Sequence, residues 1–196
     1  KLLALTNRGR NEIELVEFDA TTASLGRTVK AVENTDLVSV IYGTNHQIVG
    51  VRYLSQGRMV DASLEDEKST QLRLQLAKEL PNSNIRVSEF ASNGRALVHL
   101  ESATVPGDVF VYQPGPRKLD LLTQVSPHMD GRPLAAMERF MVKAKDGFEI
   151  ESFLTQFDPK SERRKPLMVL PHGGPFGVVD FQHFDPEAQY FAKLGY

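Results

Sequence analysis

The sequence contains no cysteine. Disulfide bonds, thiolate metal sites and a cysteine nucleophile are therefore excluded, whereas the cellular compartment stays undecided. A surplus of positive charge is also missing, because 23 basic residues stand against 25 acidic ones and the formal net charge is −2. Since nucleic-acid-binding domains usually carry a clear basic surplus, we expect no nucleic-acid partner.

Long apolar segments are missing as well. No run approaches the roughly 18 residues that a membrane-spanning helix needs, so we expect no membrane partner, and no signal-peptide pattern is present. The 196 residues are 41% hydrophobic and 24% charged, which is ordinary for a globular protein of one large domain or two small ones. The sequence begins inside a strand-like run and ends after a helix-like one, so we expect both ends to continue in a longer protein.

Residues 1–136 have the pattern of short β-strands separated by glycine, proline and polar turns. The pair of strand-like runs in 1–18 resembles the pair in 95–113, an offset of roughly two propeller blades at ~40–50 residues each. This similarity is loose and does not establish a repeat by itself. The strand-like runs are KLLALTN, EIELVEFD, LVSVIYG, HQIVGVRYL, IRVSEF, RALVHL, DVFVYQPG and KLDLLTQV.

One segment, residues 61–84, interrupts this β pattern with the periodicity of a helix. Ser63 with Asp66 is a plausible N-terminal cap, and Pro81 ends the helix. The apolar stripe comprises Leu72, Leu76, Ala77 and Leu80. The acidic residues 65–67 suit the positive end of the helix dipole. A metal or substrate site is the alternative there, and we favour a solvated first turn.

A β-hairpin is predicted over residues 138–157, around Asp146-Gly147. A two-residue loop would set apolar residues opposite charged ones. A three-residue loop, 145–147, instead places Val142 opposite Ile150 on one face and lysine opposite glutamate on the other. We therefore predict the three-residue loop, with Gly147 in the left-handed conformation.

The last part of the sequence has the pattern of a strand, a glycine loop and a helix. PLMVL, residues 166–170, is a continuous apolar run of the kind that is buried on both faces of a parallel sheet. Asp185 and Pro186 suit the first residues of a helix, and Gly195 suits its end. The predicted apolar stripe of this helix comprises Ala188, Phe191, Ala192 and Leu194.

The loop between that strand and helix carries the sequence HGGP, residues 172–175. Loops at the carboxyl ends of strands bind ligands in α/β folds, and glycines allow backbone N–H groups to approach them closely. Such N–H groups stabilise the oxyanion of acyl transfer, as an HGGG-type loop does in α/β-hydrolases. Phosphate-binding glycine patterns are absent. An ordinary turn is the alternative interpretation.

The order of these segments resembles the prolyl oligopeptidase family of serine peptidases, especially its acylaminoacyl-peptidase and dipeptidyl-peptidase-like members. The resemblance is specific in KAKDGFEIESFL, KPLMVLPHGGPFG and FDPEAQYFAKLGY, and diffuse in LAKELPNSN and PGDVFVYQPGPRKLDLLTQ. It implies the C-terminal part of a β-propeller over residues 1–136 and the first β/α elements of an α/β-hydrolase domain over 137–196. It also implies short peptides as substrates, with access limited by the propeller, and neither a cofactor nor a metal.

The same resemblance assigns roles within the glycine loop. Gly173 would give its backbone N–H to the oxyanion hole, and Gly174 would keep the loop close to the substrate. Some members have tyrosine where this sequence has His172, so we expect His172 to support the loop rather than bind the oxyanion. A tryptophan is common in the family at the position of Phe181.

The catalytic triad is absent from this sequence. No G-x-S-x-G motif occurs, and YLSQG around Ser55 lacks the first glycine. In this fold the serine, the acid and the histidine follow the oxyanion loop, so we expect them beyond Tyr196. We assign structural roles to His46, His99 and His128, and His183 with Asp185 is too weak a pair to indicate a metal site.

Three functions remain open from the sequence. The first is part of a propeller-type serine peptidase, inactive without the missing triad. The second is a related esterase, because an oxyanion loop does not distinguish an amide from an ester. The third is a non-catalytic propeller fragment that binds a protein partner. The sequence leaves open whether the protein is a homo-oligomer.

Overall fold

A computed structural model describes residues 2–65, 67–160, 164–174 and 177–196. Within these residues the chain is mainly β, with twelve strands in four antiparallel sheets and two α-helices. In each sheet, strands that are neighbours in sequence are also neighbours in space, so each is a simple meander. Open meanders of three and four strands are consistent with partial propeller blades. No helix in the described residues is long and apolar enough to cross a bilayer.

Two three-stranded sheets come first and share one core. Leu15, Leu37 and Val51 are almost completely buried where the two sheets meet. The N–H of Leu37 donates a 3.0 Å hydrogen bond to the carbonyl of Ile13, which joins the sheets through the backbone. The strands are β1 (Leu2–Thr6), β2 (Glu14–Asp19), β3 (Ser24–Lys30), β4 (Leu37–Tyr42), β5 (Ile48–Ser55) and β6 (Arg58–Ser63).

The third sheet has four strands and packs against the first helix. Leu72 and Leu76 of that helix meet Ile85, Val98 and Leu100 of the sheet in a second core. The predicted apolar stripe is therefore confirmed as the buried face of the helix. The elements are α1 (Glu67–Glu79), β7 (Asn84–Val87), β8 (Ala96–Ser102), β9 (Val105–Gln113) and β10 (Lys118–Gln124), and a short 3-10 helix, Pro127–Met129, follows them.

The predicted helical segment, residues 61–84, is longer than α1, because residues 61–63 belong to β6 and residue 84 begins β7. Ser63 is the last residue of β6, and its hydroxyl donates to the carbonyl of Val49 at 3.3 Å. The sequence pattern misses β6 because its few apolar residues run directly into the helical pattern. The proposed capping partner, Asp66, lies outside the described residues.

The hairpin register is confirmed. β11 (Ala136–Lys143) and β12 (Glu149–Gln156) pair with Val142 opposite Ile150 and Lys143 opposite Glu149. The N–H of Ala144 donates to the carbonyl of Phe148 at 2.8 Å, which closes the three-residue loop. Gly147 has φ +91°, the left-handed conformation that the loop requires of it.

The predicted strand over residues 166–170 is not formed. This segment has no regular secondary structure and makes no backbone ladder with any described strand, and its side chains are exposed, with Leu167 74% and Val169 70% exposed. The apolar run indicates a preference for burial, but a strand also needs a partner strand. The α/β-hydrolase portion of the predicted fold is therefore not shown.

The helix that follows the glycine loop, α2 (Pro186–Lys193), is capped as predicted. The Asp185 carboxylate accepts hydrogen bonds from the N–H groups of Glu187 at 2.8 Å and Ala188 at 3.1 Å. At the other end, Gly195 has φ +97° and donates to the carbonyl of Ala192. The predicted apolar stripe is partly wrong, because Leu194 is exposed and a glutamine is buried instead.

Candidate functional site

The three site residues predicted from the sequence are consecutive in an exposed loop. His172, Gly173 and Gly174 lie between segment 166–170 and α2, and all three are exposed. Pro175 lies outside the described residues. A Cβ atom added at Gly173 or Gly174 would meet nothing within 4 Å, so no described group covers this side of the loop.

The backbone N–H groups of this loop are available to a ligand. Neither Gly173 nor Gly174 donates a hydrogen bond to any described residue, and neither has a positive φ. Two adjacent N–H groups that are free to donate are the kind of hydrogen-bond donors that form an oxyanion hole. The described residues provide no packed neighbour that would hold these two N–H groups against a reacting carbonyl.

The His172 side chain contacts its own loop. Its Nδ1 donates a 2.6 Å hydrogen bond to the carbonyl oxygen of Gly173. This bond fixes the tautomer, because a carbonyl oxygen only accepts, and in the neutral ring it leaves Nε2 as an acceptor. The imidazole therefore contacts the backbone of its own loop at Gly173.

The other histidines are scattered through the described fold. His99 lies in β8, His128 in the 3-10 helix, and His46 in a turn with φ +55°. The Nδ1 of His183 donates to the carbonyl of Phe181 at 2.7 Å, while Asp185 caps α2. Among the residues that the structure describes, no group of three or more histidines and acids is placed to hold a metal ion.

The segment after the glycine loop is attached to the β-rich part of the chain through Gln182. Its backbone N–H donates to the carbonyl of Gly57 at 2.7 Å, and its carbonyl accepts from the side chain of Asn84 at 2.6 Å. The Gln182 side chain also donates to the carbonyl of Met137 at 3.2 Å. Sequence reasoning missed this attachment, since a lone glutamine in a loop gives no signal.

A second attachment is made by Gln189, the buried glutamine of α2. Its Nε2 donates to the carbonyls of Ala103 at 2.9 Å and Ala135 at 2.8 Å, and its Oε1 accepts from the N–H of Ala135 at 2.7 Å. Gln189 lies three residues before Ala192, and this spacing, which places both on one face of the helix, is the signal that could have indicated its burial. The two glutamines thus hold the residues on both sides of α2's start to the rest of the fold.

The comparisons with known proteins bear on the fold. The described architecture is that of open antiparallel sheets followed by a hairpin and a capped helix. Among solved structures, the crystal structure of Porphyromonas gingivalis dipeptidyl peptidase 4 matches 99% of this chain with a TM-score of 0.59 and 17% sequence identity. No family model matches the sequence, and no curated protein matches it.

At this level of identity the likeness establishes the fold alone. The chain spans 28% of the length of that peptidase chain. The described fold is therefore similar to a part of a dipeptidyl peptidase, and nothing in the likeness bears on the glycine loop as a site.

Proposed function

We propose that this chain is part of a serine peptidase of the prolyl oligopeptidase type that hydrolyses short peptides. Residues 1–136 would be the end of its propeller and residues 137–196 the start of its α/β-hydrolase domain. The observation that carries the proposal is that the N–H groups of Gly173 and Gly174 donate to no described residue, in the loop whose sequence resembles the family's oxyanion loop. The fold-level likeness to a dipeptidyl peptidase supports it.

In this proposal the loop stabilises charge. A serine supplied by the chain beyond Tyr196 attacks the peptide carbonyl, and the carbonyl oxygen becomes an oxyanion. The N–H of Gly173 donates to that oxygen more strongly in the transition state than in the substrate, which lowers the barrier. Gly174 keeps the backbone free of side chains, and His172 holds the adjacent peptide. Neither a cofactor nor a metal has a role.

The backbone donor can be tested by comparing two substitutions at one position in the full-length protein. Gly173→Pro removes the N–H, so kcat for a dipeptidyl nitroanilide should fall on the order of 10²–10³-fold. Gly173→Ala keeps the N–H and places its Cβ in open space, so kcat should change little. Equal losses in both variants would contradict the oxyanion role.

The family assignment has its own test, which is the protein sequence beyond Tyr196. We expect a G-x-S-x-G motif there, followed by the acid and the histidine. The 196-residue chain alone should show neither a burst nor steady turnover of nitroanilides or nitrophenyl esters. Turnover that copurifies with this chain, or a continuation without the serine, would contradict the proposal. Full-length protein that cleaves esters but not peptides would favour the esterase.

A further inference from the structure

A cavity of about 670 Å³ lies between the second sheet, the third sheet and α1. Its volume is within the range of small-molecule sites, roughly 300–1,000 Å³. It is far from the glycine loop in sequence, and no described residue of that loop lines it. The apolar part of its wall includes Ile41, Val49, Val87 and Leu97.

Three arginines line this cavity, and one of them is neutralised by a carboxylate. Arg52 in β5 donates two hydrogen bonds to Asp61 in β6, from Nε at 2.7 Å and from Nη2 at 2.9 Å. These bonds raise the pKa of Arg52 and hold both side chains against the cavity wall. Asp61 is therefore occupied and does not balance the other two arginines.

The second arginine is held by a neutral group. The Nη2 of Arg86 lies 2.7 Å from Nδ1 and 3.0 Å from Nε2 of His99, so the guanidinium donates to the imidazole. Burial and then the Arg86 charge lower the pKa of His99, which favours the neutral ring that can accept. Arg52 adds to this lowering, whereas Glu101 and Asp108 oppose it. No carboxylate in the described residues forms an ion pair with Arg86.

The third arginine, Arg73, comes from the second turn of α1. Its Nε is buried and has no hydrogen-bond partner among the described residues. The Arg73 side chain also lines the cavity, so an anion there would lie beside a positive charge whose hydrogen-bonding capacity the described residues leave partly unused. The remaining carboxylate of the lining, Glu89, is exposed to solvent.

We propose that this cavity binds a small oxyanion ligand, a carboxylate or a phosphate, through Arg73 and Arg86. The planar guanidinium group presents paired N–H donors that match both oxyanions. Both arginines line the same cavity without a carboxylate partner in the described chain, and the apolar wall would take the uncharged part of the ligand. The site is separate from the proposed peptidase chemistry, and its existence does not depend on it.

The proposal is tested by isothermal titration calorimetry of the full-length protein with inorganic phosphate and with succinate, at constant ionic strength set by chloride. We expect one of these anions, or both, to bind once per chain. Arg73→Gln and Arg86→Gln should each weaken binding about tenfold or more, because a charge-assisted hydrogen bond is lost. Binding of phosphate alone indicates a phosphate ligand, and binding of succinate alone a carboxylate.

Arg95→Gln is the matched control, because Arg95 is exposed and does not line the cavity. Its affinity should stay within about twofold of the unsubstituted protein, well below the effect of one charge-assisted bond. If Arg86→Gln fails to fold, Arg73→Gln carries the test, since the Arg73 Nε has no described partner to lose. Absence of binding by either anion, or equal weakening in Arg95→Gln, would overturn the proposal.

Discussion

The side-chain amide of Asn84 donates a 2.6 Å hydrogen bond to the backbone carbonyl of Gln182, 98 residues later in the sequence. The Oδ1 of the same Asn84 accepts from the N–H of Met59 at 2.9 Å, and only 4% of the residue is exposed. One side chain at the start of β7 therefore satisfies the backbone of β6 and of the segment that leads into α2.

Replacing Asn84 by alanine should destabilise the protein by about 2–4 kcal/mol, because one backbone donor and one backbone acceptor lose their partner. The measurement is the free energy of unfolding in urea. Asn82→Ala is the control, since Asn82 is exposed in the preceding turn and should change stability by less than about 0.5 kcal/mol. A similar loss in both variants would show that the effect comes from the turn and not from the two hydrogen bonds.

A glutamate at position 189 should make stability depend on pH. In Gln189→Glu the introduced carboxylate faces the carbonyl oxygens of Ala103 and Ala135. In the unsubstituted protein these oxygens accept hydrogen bonds from the side-chain amide of Gln189. Burial beside these oxygens raises its pKa in the folded state above the unfolded value of about 4.3. The native state then binds more protons in that range, so stability falls as the pH rises through it.

The check is the unfolding free energy of Gln189→Glu between pH 4.5 and 8, compared with that of Gln75→Glu on the exposed face of α1. The position 189 variant should lose stability as the pH rises, relative to the unsubstituted protein, and the position 75 variant should not. Parallel pH curves for the two variants would contradict the buried contacts of Gln189.

Two glycines with the same φ of +71°, Gly9 and Gly57, allow steric contact to be separated from backbone strain. An alanine Cβ at Gly57 would lie 2.7 Å from a ring carbon of Phe153 and 2.9 Å from Cδ of Arg139, whereas one at Gly9 would meet nothing within 4 Å. Gly9→Ala should therefore cost about 1 kcal/mol of stability from strain, and Gly57→Ala about 2–4 kcal/mol. Thermal unfolding of both variants measures the difference, and equal losses would mean that the hairpin does not pack on this turn.

The features that the sequence predicted correctly depend on residues that are close together in the sequence. The hairpin register follows from the pairing of Val142 with Ile150, and the start of α2 from the side chain of Asp185, within a few residues in each case. The apolar segment 166–170 indicated burial, but a strand requires a partner that a local pattern does not supply. The contacts of Asn84 and Gln189 join residues 98 and 54 positions apart, which no periodicity encodes. For the candidate site, the sequence located the loop, and the roles of His172, Gly173 and Gly174 stay predictions.

The contact between His99 and Arg86 gives the last prediction, a loss of stability in mild acid. The folded-state pKa of His99 is lowered, first by burial and then by the Arg86 charge, below the usual value of about 6.5. The unfolded state therefore binds more protons than the native state between the two values, so stability rises with pH across that window and is lost as the pH falls below about 6.5.

The measurement is the free energy of unfolding at pH 5.5 and 7.5 for the unsubstituted protein, His99→Gln and His128→Gln. His99→Gln removes the titrating group while keeping an amide oxygen that can accept from Arg86, so its loss of stability at pH 5.5 should be smaller than that of the unsubstituted protein. His128 is exposed in the 3-10 helix, outside the contact with Arg86, so His128→Gln is the control for replacing a histidine elsewhere in the chain. If His99→Gln retained the full acid sensitivity, the proton would be binding elsewhere and His99 would not be the neutral acceptor of the Arg86 guanidinium.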